Sequence, residues 1–246
     1  MSNLHQRVIS TCPTNDDDVP SWYTHGARPD QCPPAGNWRT WLILAGRGWG
    51  KTRTGAEWLR EQRDTCPRMA IIAPTFADAR DTCVEGESGL LSICKPSEVA
   101  KWNRSIGEFE FSNGAQVKLF SGDKPARLRG PQHHAVWFDE LAAFQYIQAA
   151  WDMAMFGLRL GDNPRAVVTT TPRPLPLIKT LIADAKTHVT RGSTYDNRAN
   201  LAPAFFEDIV SRYEGTRLGR QELEAELLDD VEGALWTRAN LEENRV

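Results

Sequence analysis

The chain of 246 residues is long enough for one large domain or two small ones. Its hydrophobic fraction of 41% and charged fraction of 25% are typical of globular proteins, which excludes disorder and fibrous structure for most of the chain. The net charge of −3 excludes a protein that coats DNA through an overall basic surface. The charge is uneven, because residues 203–246 carry 11 acidic and 5 basic side chains, a net −6 that leaves +3 for residues 1–202.

The cysteine pattern and the apolar runs favour a cytosolic protein over a secreted or membrane-spanning one. The five cysteines form no CxxC pair and no zinc-binding spacing, which is typical of reduced thiols in a cytosolic protein. No run approaches the roughly 20 apolar residues that span a bilayer, and the first residues lack the apolar core of a secretory signal. We therefore expect no membrane partner.

The first half of the chain alternates short apolar runs with helical patterns. Residues 1–37 are polar and lack periodicity, so we predict an N-terminal arm there. Short apolar runs predict buried strands at Trp41–Ala45 and Met69–Ala73. Between them, the pattern from Lys51 to about Arg63 predicts a helix. Residues 76–102 are expected to be mainly helical, with loops.

A β-hairpin is predicted around the dipeptide Asn113-Gly114. Residues 106–112 and 115–120 alternate apolar and polar side chains on either side of it. An Asn-Gly pair can supply the two positive-φ residues of a type I′ turn, so we predict that turn type here.

The second half continues the alternation of strands and helices and completes an α/β fold. Strands that alternate with helices form parallel sheets, so we expect a parallel sheet flanked by helices in a core at residues 38–202. The acidic residues 203–246 are predicted to form a small helical linker subdomain. The remaining predicted strands are Ala135–Phe138, Ala166–Thr170 and Thr187–Thr190, and the remaining helices are residues 143–158, Leu175–Ala185 and the region from Pro203 onward.

A glycine-rich segment, Ala45-Gly-Arg-Gly-Trp-Gly-Lys-Thr52, lies where the first strand gives way to a helix. It matches the phosphate-loop pattern G-x-x-x-x-G-K-[ST], with Ala45 in place of the first glycine. Glycines allow backbone N–H groups to surround phosphates, and the helix that starts there adds its positive end. The alternative is a simple glycine-rich turn. The candidate nucleotide-binding residues are Gly46, Arg47, Gly48, Trp49, Gly50, Lys51 and Thr52.

Two adjacent acids, Asp139 and Glu140, follow the apolar strand Ala135–Phe138. With a phosphate loop upstream, Asp139 is a candidate Mg²⁺ ligand, together with the Thr52 hydroxyl, and Glu140 is a candidate general base for the attacking water. The alternative is that the two acids cap the following helix, whose first turn favours negative charge.

Three hydroxyl residues, Thr169, Thr170 and Thr171, end the strand that begins near Ala166. The carboxyl ends of parallel strands line the ligand crevice, so these hydroxyls are expected to face the γ-phosphate region. Threonine also favours strands, so a purely structural role is the alternative.

These motifs carry a family resemblance. The segments GRGWGKT, VWFDE and TTTPRP, in this order, resemble the ATPase half of the large terminase subunit, which pumps DNA into the procapsids of tailed bacteriophages and related gene-transfer particles. The resemblance covers roughly residues 22–240, including the runs Gly192–Leu201 and Gly233–Trp236. It implies a P-loop NTPase fold of the ASCE/RecA-like class, with the hairpin as an insertion.

The resemblance also implies a role for each matching residue. Lys51 and Thr52 would bind phosphate and Mg²⁺, Asp139 would bind the metal, and Glu140 would be the catalytic carboxylate. Thr169–Thr171 would couple hydrolysis to movement.

Three further positions match the family pattern outside these motifs. Arg47 resembles a loop arginine used near the γ-phosphate, and Arg129 resembles an arginine offered to the ATP of a neighbouring subunit. Gln31 resembles the glutamine that reads adenine. A surface or structural role is the alternative for either arginine.

The implied cofactors are ATP and Mg²⁺, and the implied partners follow the packaging reaction. They are double-stranded DNA, the portal protein, the procapsid, the small terminase subunit and further copies of the chain in a ring. The expected location is the host cytoplasm, with transient docking on the procapsid. The chain departs from the family pattern by stopping at Val246, before the nuclease domain with its clustered carboxylates, so nuclease activity is not expected.

Two other functions share some of these features. A helicase-type DNA-dependent ATPase has the same phosphate loop, Asp-Glu pair and threonine-rich strand, but it usually needs a second motor lobe. A nucleotide-sensing assembly module would bind ATP with negligible turnover.

Two weaker signals complete the sequence reading. His133-His134 lacks a third ligand at metal-binding spacing, which favours a structural role. The short basic segments Lys101–Arg104 and Lys124–Arg129 are candidates for contacts to DNA phosphates.

Overall fold

The structure, a computed structural model, describes residues 22–228. Residues 1–21 of the predicted arm and residues 229–246 of the predicted linker subdomain lie outside the described residues, and so does Gly233–Trp236. No helix among residues 22–228 combines the length and the apolar character needed to cross a membrane.

The described chain is organised around one eight-stranded sheet. Six neighbouring strands are parallel, and two antiparallel strands extend the sheet at one edge. This architecture confirms the predicted α/β fold with a mostly parallel sheet. From one edge to the other the strands are β3 (Val99–Asn103), β4 (Glu108–Phe111), β5 (Gln116–Ser121), β2 (Arg68–Ala73), β6 (Ala135–Asp139), β7 (Arg165–Thr170), β1 (Thr40–Ala45) and β8 (Thr187–Gly192).

Both faces of the sheet are covered, which explains the continuous apolar runs of its strands. Side chains alternate between the faces of a strand, so Trp41 and Ile43 of β1 enter one core while Leu42 and Leu44 enter the other. A strand buried on both sides has no polar face and reads as an unbroken apolar run.

The longer helices cover the two faces of the sheet. On the first face, α2 (Lys51–Glu61) contributes Ala56, Trp58 and Leu59 to the core. On the second face, α5 (Ile147–Gly157) and α6 (Pro176–Ala183) contribute apolar side chains. The shorter helices are α1 (Trp22–His25), α3 (Phe76–Asp81), α4 (Leu90–Ile93), α7 (Pro203–Phe205), α8 (Ser211–Tyr213) and α9 (Arg217–Glu222), with a π-helical turn at Phe206–Val210.

Two local predictions are wrong. Residues 76–102, expected to be mainly helical, also contain most of β3, whose only partner in the sheet is β4. The hairpin turn is not type I′, because Asn113 does not have a positive φ and only Gly114 does, at 86°. Gly114 N donates to Phe111 O, and Phe111 N donates to Ala115 O, which makes a three-residue loop with glycine in the left-handed position.

The end of the described chain forms a small separate core. Phe206, Val210 and Leu223 are buried together, with Tyr195 and Leu201 packed against them. This helical segment, residues 203–223, lies against the loop that follows β1, because Glu222 O accepts a hydrogen bond from the Arg47 amide at 2.7 Å.

Candidate active site

The phosphate loop, residues 45–52, connects the end of β1 to the start of α2. Gly48 and Gly50 have φ values of 73° and 102°, a region that side-chain-bearing residues rarely adopt. Trp49 is fully buried, and a Cβ at Gly192 of β8 would lie 1.9 Å from its indole nitrogen. The Trp49 ring therefore anchors the loop against the sheet, while its backbone faces the candidate site.

Lys51 lies at the centre of the site. Its ammonium donates to Ala45 O at 3.0 Å, to Gly46 O at 3.2 Å and to Thr171 Oγ1 at 3.2 Å. It also lies 3.3 Å from Glu140 Oε1. One cation is thus in reach of the loop and of two further candidate residues from the neighbouring strands.

Asp139, the last residue of β6, is buried and held by two donors. Thr169 Oγ1 donates to Asp139 Oδ1 at 2.8 Å, and the Cys83 thiol donates to Oδ2 at 3.5 Å. Burial and the nearby Glu140 carboxylate raise the pKa of Asp139 to about 6. Burial also raises the pKa of the Cys83 thiol well above its usual value, which keeps it a neutral donor.

Glu140 is brought to the site by a strained backbone. Adjacent residues on a strand point to opposite faces, but Glu140 has a φ of 50° and a ψ of 48°, in the left-handed region. This conformation lets Glu140 Oε2 accept a hydrogen bond from Thr171 N at 3.2 Å while Oε1 approaches Lys51. Backbone strain of this kind in a non-glycine residue costs about 1–3 kcal/mol and is concentrated at functional sites.

The three threonines at the end of β7 have three different environments. Thr169 bridges Trp137 Nε1, from which it accepts at 2.9 Å, and Asp139. Thr170 Oγ1 accepts from Ala142 N at 3.0 Å, which fixes the turn after β6. Thr171 alone touches both Lys51 and Glu140.

A cavity of about 690 Å³ opens in front of the phosphate loop. This volume lies within the range of cofactor sites. The predicted residues around it are Gln31, Arg47, Gly48, Trp49, Gly50, Lys51, Thr52 and Glu140.

Arg47 lines the cavity and is held by the C-terminal helices. Its side chain is 73% exposed, and Nε lies 2.7 Å from Glu222 Oε2. Thr194 Oγ1 donates to the Arg47 carbonyl at 2.6 Å. In this arrangement the guanidinium is paired with a carboxylate at the rim of the cavity.

Gln31 is buried beside the loop rather than free in the cavity. Its Nε2 donates to Thr54 Oγ1 on α2 at 3.1 Å, and its Oε1 accepts from Arg28 N at 3.1 Å. The Thr54 hydroxyl in turn donates to Gly50 O at 2.9 Å. Gln31 thus ties the N-terminal segment to the phosphate loop while lining the cavity.

Arg129 lies elsewhere, outside the cavity around Lys51. It follows the 3₁₀ turn Pro125–Leu128 and is exposed. It lines a second groove, which is separated in sequence and space from the phosphate loop.

Three residues near the site have no role among the predictions from sequence. Arg28 also lines the cavity, and its guanidinium lies 5.0 Å from the centre of the Trp49 ring while Nη1 donates to Asn197 Oδ1 at 2.8 Å. Asn197 belongs to the Gly192–Leu201 run, which was part of the family resemblance without a role. Cys83, the thiol donor to Asp139, has no motif around it that could have identified it.

The donor set fits Mg²⁺ bound together with a nucleotide. Among residues 22–228 no group of three or more His, Cys, Asp or Glu side chains could hold a metal by itself, and His133-His134 is no exception. Mg²⁺ usually takes only one or two protein oxygens, with phosphates and waters as the other ligands. Asp139 offers a carboxylate at a strand end, and Thr52 offers a hydroxyl that lines the cavity.

One family model matches most of the chain. The family model for the large terminase subunit, T4likevirus-type, N-terminal, matches residues 42–243. No curated protein matches the chain.

Solved structures with a similar fold include large terminases from two phages. The ATPase domain of the Thermus phage P74-26 large terminase has a TM-score of 0.59 and 18% identity, over 78% of this chain and 90% of that chain. The large terminase of another thermophilic bacteriophage, in complex with ADP, has a TM-score of 0.65 and 16% identity, over 78% of this chain and 49% of that chain. The complex of that same terminase with ATP-γ-S has a TM-score of 0.64 and 16% identity, over 85% and 51% of the two chains. The matched region therefore spans about half the length of this second terminase, and at these identities the likeness is one of fold.

Proposed function

The chain belongs to the family defined by the N-terminal part of T4likevirus-type large terminase subunits. From this premise we propose that it hydrolyses ATP to drive the packaging of double-stranded DNA into procapsids. The observation that carries the proposal is the contact of Thr171 with both Lys51 and Glu140, two residues that line the nucleotide-sized cavity. A glycine-rich turn alone needs neither a strained carboxylate nor a threonine aligned with the loop lysine. The similar terminase structures with ADP and ATP-γ-S support a nucleotide as the ligand.

In the proposed reaction, the phosphate loop binds the β- and γ-phosphates through its backbone N–H groups and Lys51. Lys51 exchanges its carbonyl partners for phosphate oxygens, which releases Glu140 from their ion pair. Thr52 and Asp139 would hold Mg²⁺, which offsets the negative charge of the phosphates. Glu140 then orients and deprotonates the water that attacks the γ-phosphate in line.

Two arginines would complete the site. Arg47 reaches the γ-phosphate once it leaves Glu222, and Arg129 acts on the ATP of a neighbouring copy in a ring. An arginine of this kind contributes a factor of about 10³–10⁵ in other phosphoryl-transfer systems. Gln31 and the adjoining Arg28 lie beside the loop and would contact the base.

Thr171 would report the state of the γ-phosphate to the sheet, since it touches both Lys51 and Glu140. The resulting movement would translocate DNA through a ring docked on the portal of the procapsid, with the small terminase subunit as a further partner. The proposed location is accordingly the host cytoplasm.

Steady-state phosphate release with and without double-stranded DNA tests this proposal. We expect DNA-stimulated turnover that falls at least about 100-fold in Lys51→Ala, because the principal phosphate cation is lost. ATP binding without turnover would refute the proposal in favour of a nucleotide-sensing module. ATP-dependent strand separation on a forked duplex would refute it in favour of a helicase.

A further inference from the structure

A second groove, of about 680 Å³, is lined by residues of β5 and of the turn that follows it. We call it the basic groove. In the strand order, β5 and the phosphate-loop strand β1 lie on opposite sides of β6. The segment 118–129 supplies four cations to it and contains a single acid, although the whole chain has a net charge of −3. The side chains that define the groove are Lys118, Lys124, Arg127, Arg129, Phe76 and Ile106.

Lys124, Arg127 and Arg129 have no acidic partner within residues 22–228, unlike the neighbouring cations Lys118 and Arg104. Lys118 pairs with Glu108 at 3.0 Å, and the nearby Arg104 pairs with Asp81 and Glu85, each at 3.0 Å. Within residues 22–228, neither the Lys124 nor the Arg127 side chain makes an ion pair or hydrogen bond. An external anion can therefore bind these two cations without displacing a carboxylate.

The backbone that carries these cations is fixed. They flank and occupy the 3₁₀ turn Pro125–Leu128, in which Arg127 N donates to Lys124 O at 3.0 Å. Leu128 is 2% exposed and belongs to the core on the second face of the sheet. A fixed backbone lowers the entropy that is lost when an anion immobilises the two side chains.

The basic groove lies near the carboxyl ends of the parallel strands, where the candidate active site also lies. Its cationic turn follows β5, and the carboxyl ends of β5, β6 and β1 lie on the same side of the sheet because these strands are parallel. Only β2 separates β5 from β6, and neighbouring strands are about 4.8 Å apart, so the turn begins about 10 Å sideways from the end of β6. The same turn leads through residues 129–134 into β6, which ends at Asp139.

We propose that the basic groove binds the sugar-phosphate backbone of double-stranded DNA through Lys124 and Arg127. Two free cations on an open groove complement a regular row of phosphates, and such contacts do not depend on base sequence. A single neighbouring triphosphate needs one arginine, for which Arg129 is the candidate, and would leave Lys124 and Arg127 without a partner. The inference rests on the proposed function, since it identifies where that motor would hold its DNA.

Binding of a short random-sequence duplex, measured by fluorescence anisotropy across a salt series, tests the inference. In Lys124→Ala/Arg127→Ala, we expect the slope of log affinity against log salt to fall by about 2, or about 1 for each lost phosphate contact. ATP turnover without DNA should be unchanged. The matched control is Arg104→Ala/Lys118→Ala, which removes two cations that are already paired and should keep the slope. The charge-preserving Lys124→Arg/Arg127→Lys should also keep it.

The outcomes separate this inference from the proposed function. An unaltered chain that hydrolyses ATP and binds DNA, with an alanine variant of equal affinity and slope, overturns the inference alone. Loss of DNA-free turnover with DNA affinity intact also overturns it, in favour of a role at a neighbouring nucleotide. An unaltered chain that binds no DNA overturns both. A charge-preserving variant that loses binding, while its thermal unfolding is unchanged, overturns a purely electrostatic contact.

Discussion

Replacing Glu140 with glutamine tests the chemistry of the site while leaving its shape intact. The glutamine oxygen can still accept the hydrogen bond that Glu140 Oε2 receives from Thr171 N at 3.2 Å. The left-handed backbone at residue 140 is therefore expected to persist. Two features are lost, the ion pair with Lys51 at 3.3 Å and the ability to take a proton from water.

The magnitude follows from these two losses. A positioned general base contributes a factor of about 10²–10⁴, so the turnover number should fall by that factor, equivalent to about 3–5 kcal/mol of activation free energy. Nucleotide affinity should not weaken, because the lost ion pair holds Lys51 away from phosphate rather than toward it. We expect unchanged or tighter binding of ATP by Glu140→Gln.

The assay combines phosphate release with equilibrium binding of a fluorescent ATP analogue. Glu87→Gln is the matched control, because Glu87 also lines the cavity but is exposed and lies outside the Lys51 network. Its turnover should stay close to that of the unaltered chain. Retention of more than about a tenth of the turnover in Glu140→Gln would refute the role of Glu140 as general base. A parallel loss of affinity would instead indicate a role in binding.

Three further predictions concern the supports of the site and the pH dependence of folding. Thr169→Val leaves the buried Trp137 Nε1 without its acceptor, so the free energy of unfolding should fall by about 1–3 kcal/mol in a denaturant titration. The control Thr180→Val, on an exposed helix face, should change the free energy of unfolding little. Glu222→Gln removes the ion pair that holds the exposed Arg47. Because such a surface pair contributes about 0–1 kcal/mol, the turnover number should rise by no more than about fivefold, with thermal stability unchanged. A fall in the turnover number would contradict the idea that the pair restrains Arg47. Burial lowers the pKa of His133 from 6.5 to about 4, with the charges of His134 and Lys118 adding to the effect, so the unfolded chain binds a proton that the folded chain excludes between those values. Stability should thus fall by up to about 3 kcal/mol as the pH drops from 7 to 4, and an equal pH dependence in His133→Phe would show that this residue is not the cause.

The parallel sheet could be predicted from the sequence because burial on both faces leaves a simple signal. The run Trp41–Ala45 contains no polar residue, since its odd and even positions enter different cores. β3 gives no such signal, because it lies at the edge of the sheet and Ala100 and Lys101 are exposed. Residues 99–103 form a strand because they pair with β4, and their own hydrophobic pattern does not predict that pairing.

The site shows the same division between local and distant information. Asp139 ends β6, Thr171 follows the last residue of β7, and Lys51 begins α2 after the loop that follows β1, so the motif and the neighbouring element together predict their positions. Their supporting partners come from remote segments: Cys83 is 56 residues from Asp139, and Glu222 is 175 residues from Arg47. Neither partner stands in a motif, so only the packing of the chain reveals it.

The hydrogen bonds of the phosphate loop provide a second route, besides Thr171, by which nucleotide binding can move another part of the chain. Gly46 N donates to Gly192 O at 2.9 Å, Arg47 N donates to Glu222 O at 2.7 Å, and Asn197 Nδ2 donates to Gly48 O at 2.6 Å. The loop is thus bonded to residues 192–222, whose last helices pack on a core of their own. A loop that tightens around phosphate must stretch these bonds or carry the helices with it. Because the buried residues of these helices form a core separate from the two cores of the sheet, the helices can move without opening those cores, and we expect their displacement to accompany ATP binding.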